Sequence, residues 1–263
     1  MDADRYSRDS SQNLVAKLVI CLLVTLCCFA PALRAQTTEQ PGSSQSSADS
    51  AFYSRLNGWS VFGEYGPPPN FTLIGTVQRR TLITFGGEYT RRLLLSGATE
   101  LDYAVQVRPF VLESDAVLAG YRSATTGQIL VTFPNPQRVV LTPTTPIFLP
   151  PFGSVVPIYG HQWTYAGGAN PIGFRLKFLP RKRVQPFVSS LAGFVYATRQ
   201  IPIPNTSAFN FCFQFGGGIE YFLSRSRSVR VGYSYHHISN AYTGEFNPGV
   251  DSGLIQIGYS FGH

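Results

Sequence analysis

Residues 209–223 read FNFCFQFGGGIEYFL, and this stretch decides the fold class. Its odd positions are apolar or glycine throughout. Asn210, Gln214 and Glu220 lie at even positions. Because successive side chains of a β-strand point to opposite faces, this period of two predicts a strand with one apolar and one polar face.

Seven further segments show alternation of this kind and are separated by turn residues. They are residues 58–65, 81–89, 101–111, 171–179, 184–198, 228–239 and 252–261. The chain is also poor in charged residues, at 13%, and rich in aromatic residues, at 14%. Eight strands with this composition are typical of an outer-membrane β-barrel, whose apolar side chains face lipid while polar ones fill the interior.

The connections favour a barrel over a soluble β-sandwich, which would bury its apolar faces instead. The predicted joins 91–100, 180–183 and 224–227 are short or modest and would share one end, whereas the Thr- and Pro-rich segment from Glu113 to Gly160 would form a long loop at the other. Short periplasmic turns and longer outer loops are the usual asymmetry. We therefore predict an all-β fold, an eight-stranded antiparallel outer-membrane β-barrel over residues 51–263.

The N-terminal residues have a different composition. Residues 14–32 read LVAKLVICLLVTLCCFAPA, a short apolar core that ends in small residues, with cleavage sites at Ala32 or Ala35. This pattern predicts a cleaved signal peptide over residues 1–35 and export to the outer membrane of a Gram-negative-type bacterium. Residues 36–50, rich in Ser, Gln and Thr, are predicted to be a flexible segment. Cys212 is then the one cysteine of the mature chain, a small barrel residue.

The net charge of +7 indicates an anionic partner. A basic surface attracts nucleic acid or anionic lipid. Only residues 181–183 form a dense basic run, and no nucleic-acid-binding module is recognisable, so phosphorylated membrane lipid is the expected partner. No Cys/His cluster has metal-ligand spacing, and no motif implies a metal, nucleotide or redox cofactor. The sequence leaves the oligomeric state open, a homodimer included.

The candidate catalytic residues lie in residues 230–258, which read RVGYSYHHISNAYTGEFNPGVDSGLIQIG. His237 and Ser239 share odd positions with the apolar face of their strand, and Asp251 has the parity of the apolar face of the next strand. All three would therefore point toward lipid at the loop end of adjacent strands. A charge costs little there, because the membrane interface is near.

These residue types can hydrolyse an ester. A serine hydroxyl such as that of Ser239 is a weak nucleophile until a base such as His237 takes its proton. Asp251 would hold the imidazole in the correct tautomer. Asn240 and Asn247 could donate hydrogen bonds to the oxyanion. A His-x-Ser pair alone is a weak signal, and polar residues at a loop mouth are the alternative.

The motif itself resembles a known family. The run His237-Ile238-Ser239-Asn240-Ala241, followed by Asn247-Pro248-Gly249 and an acid at Asp251, is similar to the PagL-type lipid A 3-O-deacylases. The similarity extends through residues 210–223 and 166–174. The resemblance implies an eight-stranded outer-membrane barrel that hydrolyses the 3-O acyl ester of lipid A in the outer leaflet. It assigns the nucleophile to Ser239, the base to His237, the acid to Asp251, an oxyanion donor to Asn247 and a second motif asparagine to Asn240.

Two positions depart from the family pattern. Asp251 stands where the best-known members have glutamate, and Tyr242 stands where a glycine is often found. The long segment from Glu113 to Gly160 could also change which lipid is accepted. An outer-membrane phospholipase or general lipid esterase with the same triad therefore stays open, as does a non-catalytic structural barrel with a decayed site.

The other candidate side chains are given lesser roles. Glu245 is a spare acid near the site. His236 is predicted to face the lumen as a structural residue, and His161 to lie on a loop without a partner.

Overall fold

Ten β-strands form the described part of the chain. The computed structural model describes residues 52–68, 73–77 and 79–263, all within one compact unit, Asp49–His263. The predicted signal peptide (1–35) and flexible segment (36–50) lie outside the described residues. The strands are β1 (Asn57–Gly66), β2 (Thr81–Leu95), β3 (Thr99–Ser123), β4 (Ile129–Arg138), β5 (Ile147–Leu149), β6 (Gly153–Phe178), β7 (Val184–Ile201), β8 (Ser207–Ser224), β9 (Arg227–Ser239) and β10 (Val250–Gly262).

Eight of these strands close into an antiparallel ring. The order is β1-β2-β3-β6-β7-β8-β9-β10, and the pairing of β10 with β1 completes the circle. A sheet edge exposed to lipid would leave backbone N–H and C=O groups without hydrogen-bond partners. Closure of the ring removes both edges. The predicted eight-stranded barrel is confirmed. In the described ranges, no helix has the length and apolar character needed to cross a membrane.

The outer surface of the ring is apolar and the interior is polar. On β9, Val231 is 51% and Tyr233 62% exposed, whereas Ser228 and Arg230 are buried. On β8, Phe211 and Phe215 point outward while Gln214 is buried. This distribution is the reverse of a soluble protein and suits a barrel whose wall contacts lipid.

Ion pairs and hydrogen bonds fill the lumen. Glu88 accepts hydrogen bonds from both terminal nitrogens of Arg175, at 2.9 and 2.8 Å, and pairs with Arg230 at 2.9 Å. Near the end of β6, Lys177 pairs with Asp102 at 2.9 Å and also contacts Glu100. Buried charges persist when they are paired in this way. The lumen is therefore packed with paired charges along much of its length, and a cluster of buried apolar side chains that includes Leu82, Ile238 and Leu254 fills another part of it.

At one end, β3 and β6 extend beyond the rim of the barrel. β3 and β6 continue together to the pair Ser123↔Val155, while β4 and β5 pair with their outer edges. The prediction of a long loop from Glu113 to Gly160 is therefore wrong, because most of this segment is sheet. Its prolines indicated a loop, but Pro134 and Pro136 lie on the edge strand β4, where a missing N–H costs no ladder hydrogen bond.

The opposite end has short turns. β2 and β3 are joined by residues 96–98, β6 and β7 by 179–183, and β8 and β9 by 225–226. The chain end at His263 hydrogen-bonds Asn57 at this same end. The predicted asymmetry of the two ends is confirmed, although the long end is built of strands.

Candidate active site

The candidate residues lie where β9 ends and β10 begins. In the register of the sheet, Asp251 is directly opposite His237, and Ser239 is opposite Phe211 on β8. Val231, Tyr233 and the other odd residues of β9 point outward, so His237 and Ser239 open onto the outer surface of the barrel. The face inferred from strand parity is the face observed.

His237 and Asp251 are in direct contact. The imidazole Nδ1 lies 2.6 Å from Asp251 Oδ1, which is the distance of a strong charge-assisted hydrogen bond. Cross-strand neighbours at a directly opposed position bring side chains this close. Because Nδ1 is committed to the carboxylate, Nε2 is the nitrogen left to exchange a proton with a hydroxyl group.

A segment between β1 and β2 covers the carboxylate. Three consecutive backbone N–H groups donate to Asp251 Oδ2, from Leu73 at 2.6 Å, Ile74 at 2.8 Å and Gly75 at 3.0 Å. Asp251 is consequently only 2% exposed. Strand parity alone puts Asp251 on the lipid face, where only the nearby membrane interface would lower the cost of its charge. In the structure, the backbone of residues 73–75 covers the carboxylate and shields it from lipid.

Close backbone approach holds that segment in place. Thr76 N donates to Pro248 O at 2.7 Å, and Val77 forms a parallel bridge with Val250. A Cβ on Gly75 would lie 2.8 Å from the carbonyl of Gly249 and 3.0 Å from Asp251 Oδ1. Only glycine fits this approach, because a methyl group would collide with backbone atoms.

Gly249 also borders the imidazole. Its φ is 64°, in the left-handed region that favours glycine. A Cβ there would lie 3.0 Å from His237 Cε1 and 3.7 Å from Nε2. The glycine thus leaves room at the ring edge where proton transfer would take place.

Tyr235 gives the carboxylate a further donor. Its hydroxyl group donates to Asp251 Oδ1 at 2.8 Å, the oxygen that also contacts His237. Tyr235 precedes His237 by two residues and shares its face, so strand periodicity alone places it beside the acid. The sequence gives no sign of its contact with Asp251. Sequence reasoning also missed segment 73–77, for which the sequence offers only Gly75 as a signal.

Ser239 is half-buried on the same face as His237. Within the described residues, no hydrogen bond joins the two side chains. They are two positions apart on an extended strand, which puts their Cα atoms about 6–7 Å apart. In enzymes without bound substrate, catalytic hydrogen bonds are often long or poorly aligned.

The two asparagines differ in the groups that they leave free. Asn240 is 2% exposed, and its Nδ2 donates to Phe246 O at 2.7 Å, so its amide N–H serves the loop. Asn247 Oδ1 accepts from the backbone N–H of Asn240 at 3.1 Å, which leaves the Asn247 Nδ2 group without a hydrogen bond to any described residue.

Tyr242 occupies a backbone conformation that suits glycine. Its φ is 62°, and its backbone N–H donates to Asn240 Oδ1 at 2.9 Å. This N–H group is therefore engaged within the loop. Glu245 is exposed, and it is Asp251 that meets His237.

The other histidines lie elsewhere. His236 faces the lumen as predicted, with Nε2 3.3 Å from Arg108 Nη1. His161 lies on β6, and its Nδ1 is 3.2 Å from Ser114 Oγ, so the prediction of a loop histidine without a partner is wrong. Across the described ranges, no group of three or more His, Cys, Asp or Glu side chains is arranged to hold a metal ion.

Comparison with known proteins adds a family match. Residues 138–260 match the family described as Lipid A 3-O-deacylase (PagL), so the resemblance that the motif predicts is confirmed over this part of the chain. A search of curated proteins gives no match. The closed ring and the family match together confirm the predicted fold class, an eight-stranded outer-membrane β-barrel.

Several solved structures align with most of the chain. The crystal structure of the outer membrane enzyme PagL has 13% sequence identity and a TM-score of 0.45, and the alignment covers 78% of this chain and 99% of that one. The crystal structure of Neisserial surface protein A has 9% identity and a TM-score of 0.39, with 79% and 97% of the chains covered.

Proposed function

We propose that this outer-membrane barrel is a serine esterase that removes the 3-O acyl chain of lipid A. The observation that carries the proposal is the His237–Asp251 contact on the outer surface of the barrel, next to Ser239 and within the part of the chain that matches the deacylase family. A site on the lipid-facing wall suits a substrate that never leaves the membrane.

In the first half of the reaction, Ser239 Oγ attacks the ester carbonyl carbon and its proton passes to His237 Nε2. Asp251, held on Nδ1, stabilises the imidazolium that forms. The carbonyl oxygen becomes an oxyanion, and Asn247 Nδ2 donates a hydrogen bond to it. The tetrahedral intermediate collapses when the sugar oxygen leaves and takes the proton from His237. The fatty acyl chain then remains on Ser239.

In the second half, water replaces the sugar. His237 takes a proton from the water as it attacks the acyl-serine ester, and the proton returns to Ser239 Oγ as the C–O bond breaks. A 3-hydroxy fatty acid is released, and the serine is regenerated. The steps need no metal or redox cofactor.

Substrate would reach Ser239 sideways from the outer leaflet. The side chains of β9 alternate, so a site in the lumen would have used Ser234 and His236, which are buried. Buried charged side chains such as Glu88, Arg175 and Arg230 fill much of the lumen, which does not suit a lipid. Export with cleavage near residue 33 or 36 belongs to the same proposal.

Mass spectrometry of lipid A from cells that express the protein tests this function. Wild-type protein and Ser234→Ala should both release one 3-hydroxyacyl chain, and Ser239→Ala should release none although it folds. Folding is checked by heat-modifiable gel migration, which is typical of outer-membrane barrels. Loss of the acyl chain with Ser239→Ala would refute the nucleophile. Unchanged lipid A together with hydrolysed phospholipid in wild-type cells would identify a phospholipase instead.

A further inference from the structure

The exposed charged side chains of the barrel are almost all positive. Every Asp and Glu side chain among the described residues is buried except that of Glu245. Nearly all of the negative charge is therefore buried, mainly in the lumen. It does not neutralise the exposed arginines and lysines.

These cations concentrate at the end with short turns. The turn between β6 and β7 carries Arg181, Lys182 and Arg183, and the neighbouring turn between β8 and β9 carries Arg225; all four are exposed. The chain segment before β1 passes between these turns, since Tyr53 N donates to Pro180 O at 2.7 Å. We call these four cations, with Phe52 and Tyr53, the basic rim patch.

The three arginines pack against two aromatic rings. The guanidinium carbons of Arg183 and Arg225 each lie 5.7 Å from the ring centre of Tyr53, and that of Arg181 lies 4.9 Å from the ring centre of Phe52. Arg183 Nε donates to the Tyr53 hydroxyl oxygen at 3.0 Å, and Arg225 Nη1 to Phe52 O at 3.4 Å. Cation–π contacts position a guanidinium group and leave its charge uncompensated.

No Asp or Glu side chain neutralises the basic rim patch within the described residues. Glu220, on the adjoining part of β8, points into the lumen, where it lies 2.5 Å from Arg55. The hydrogen bond from Arg183, aided by the charges of Arg183 and Arg225, lowers the pKa of Tyr53 from its ordinary value. The patch therefore has a positive potential and free N–H donors.

An apolar wall adjoins the patch. Leu179, Val184, Tyr221 and Leu223 are all exposed on the outer surface beside these two turns. A ligand at this rim would thus meet cations at the membrane surface and apolar side chains below them. An amphipathic anion fits both, whereas a free anion would use the cations alone.

We propose that the basic rim patch binds the phosphate of an anionic phospholipid in the leaflet opposite the candidate active site. The acyl chains of that lipid lie against the apolar wall, and its phosphate accepts hydrogen bonds from Arg181, Arg183 and Arg225. This proposal depends only on the membrane barrel and is independent of the esterase chemistry.

Native mass spectrometry of the full-length protein in detergent tests it. The protein is titrated with phosphatidylglycerol or with phosphatidylethanolamine of the same acyl chains. We expect phosphatidylglycerol to bind about tenfold more tightly or better, because each surface cation contributes appreciably to the binding of an anionic lipid. The triple variant Arg181→Gln/Arg183→Gln/Arg225→Gln should lose this preference.

A triple variant at the opposite end controls for net charge. Arg79→Gln/Arg122→Gln/Arg199→Gln removes the same three charges from exposed positions away from the patch, and it should keep the preference. Arg181→Gln/Lys182→Gln, which leaves both contacts to Tyr53 intact, should reduce the preference without disturbing the fold. Equal binding of both lipids to wild-type protein would overturn the proposal. So would equal losses in the two triple variants, or complete displacement of the lipid by millimolar inorganic phosphate.

Discussion

Asp251 on the outer face and Glu88 in the lumen are both buried carboxylates, but their partners differ in kind. Glu88 is paired with the guanidinium groups of Arg175 and Arg230. Asp251 accepts hydrogen bonds from backbone N–H groups, a phenol and an imidazole, and no arginine or lysine of the described residues pairs with it. A carboxylate whose charge is already offset by two cations attracts a third cation only weakly.

The difference separates a structural role from a chemical one. Neutral donors keep Asp251 ionised without cancelling its charge, so the charge is available when His237 becomes protonated. In the lumen, the cations around Glu88 offset the cost of burying charge and fill the barrel. The adjacent histidines show the same division, since His236 faces Arg108 and His237 faces Asp251.

The largest expected contrast is between Asp251→Asn and Glu88→Gln. Asp251→Asn should lower kcat by roughly 10³–10⁴-fold, because the amide favours the wrong imidazole tautomer, as in a serine protease. Glu88→Gln should leave kcat of the folded protein nearly unchanged but destabilise the barrel by about 3–5 kcal/mol, because two buried arginines lose their partner. Release of fatty acid in mixed micelles gives kcat, and urea unfolding monitored by tryptophan fluorescence gives stability.

Asp251→Glu completes this comparison. It restores the charge and the residue type common in the family, so we expect activity well above that of Asp251→Asn. It should stay below wild type, because an added methylene must fit beneath the backbone of residues 73–75. An Asp251→Asn variant as active as wild type would remove the acid from the mechanism.

A smaller effect is expected where the outer site depends on close backbone approach. Gly249→Ala should lower kcat by roughly 10–100-fold, since a methyl group 3.0 Å from His237 Cε1 shifts the ring and the positive φ adds strain. Gly87→Ala on β2 is the matched control, because its Cβ would meet nothing nearer than Ser60 O at 3.7 Å. Equal activity of Gly249→Ala and Gly87→Ala would show that the ring does not depend on this glycine.

The sequence predicts the features that depend on the period of two, and few of those that depend on loops. Alternation along β8 and β9 indicates a barrel and fixes the outward direction of His237 and Ser239. It misses the strands between Glu113 and Gly160, because prolines on an edge strand look like loop prolines. It also misses the backbone donors of residues 73–75. Any residue but proline supplies an N–H group, so a carboxylate-binding backbone leaves almost no mark on the sequence.

The face on which Tyr235 lies follows from the sequence, but its contact with Asp251 does not. Tyr235→Phe should have the smallest effect of these variants. Strand parity places it on the face of His237, and its hydroxyl is one of several donors to Asp251. Loss of one hydrogen bond to a charged group should lower kcat by about tenfold, with KM unchanged because the hydroxyl group acts through Asp251. Tyr233→Phe, on the same face of β9, should have no effect. In the Asp251→Asn background, Tyr235→Phe should cause no further loss, because a residue that acts only through Asp251 has nothing left to position. A full additional tenfold loss in that background would mean that Tyr235 contacts the substrate itself.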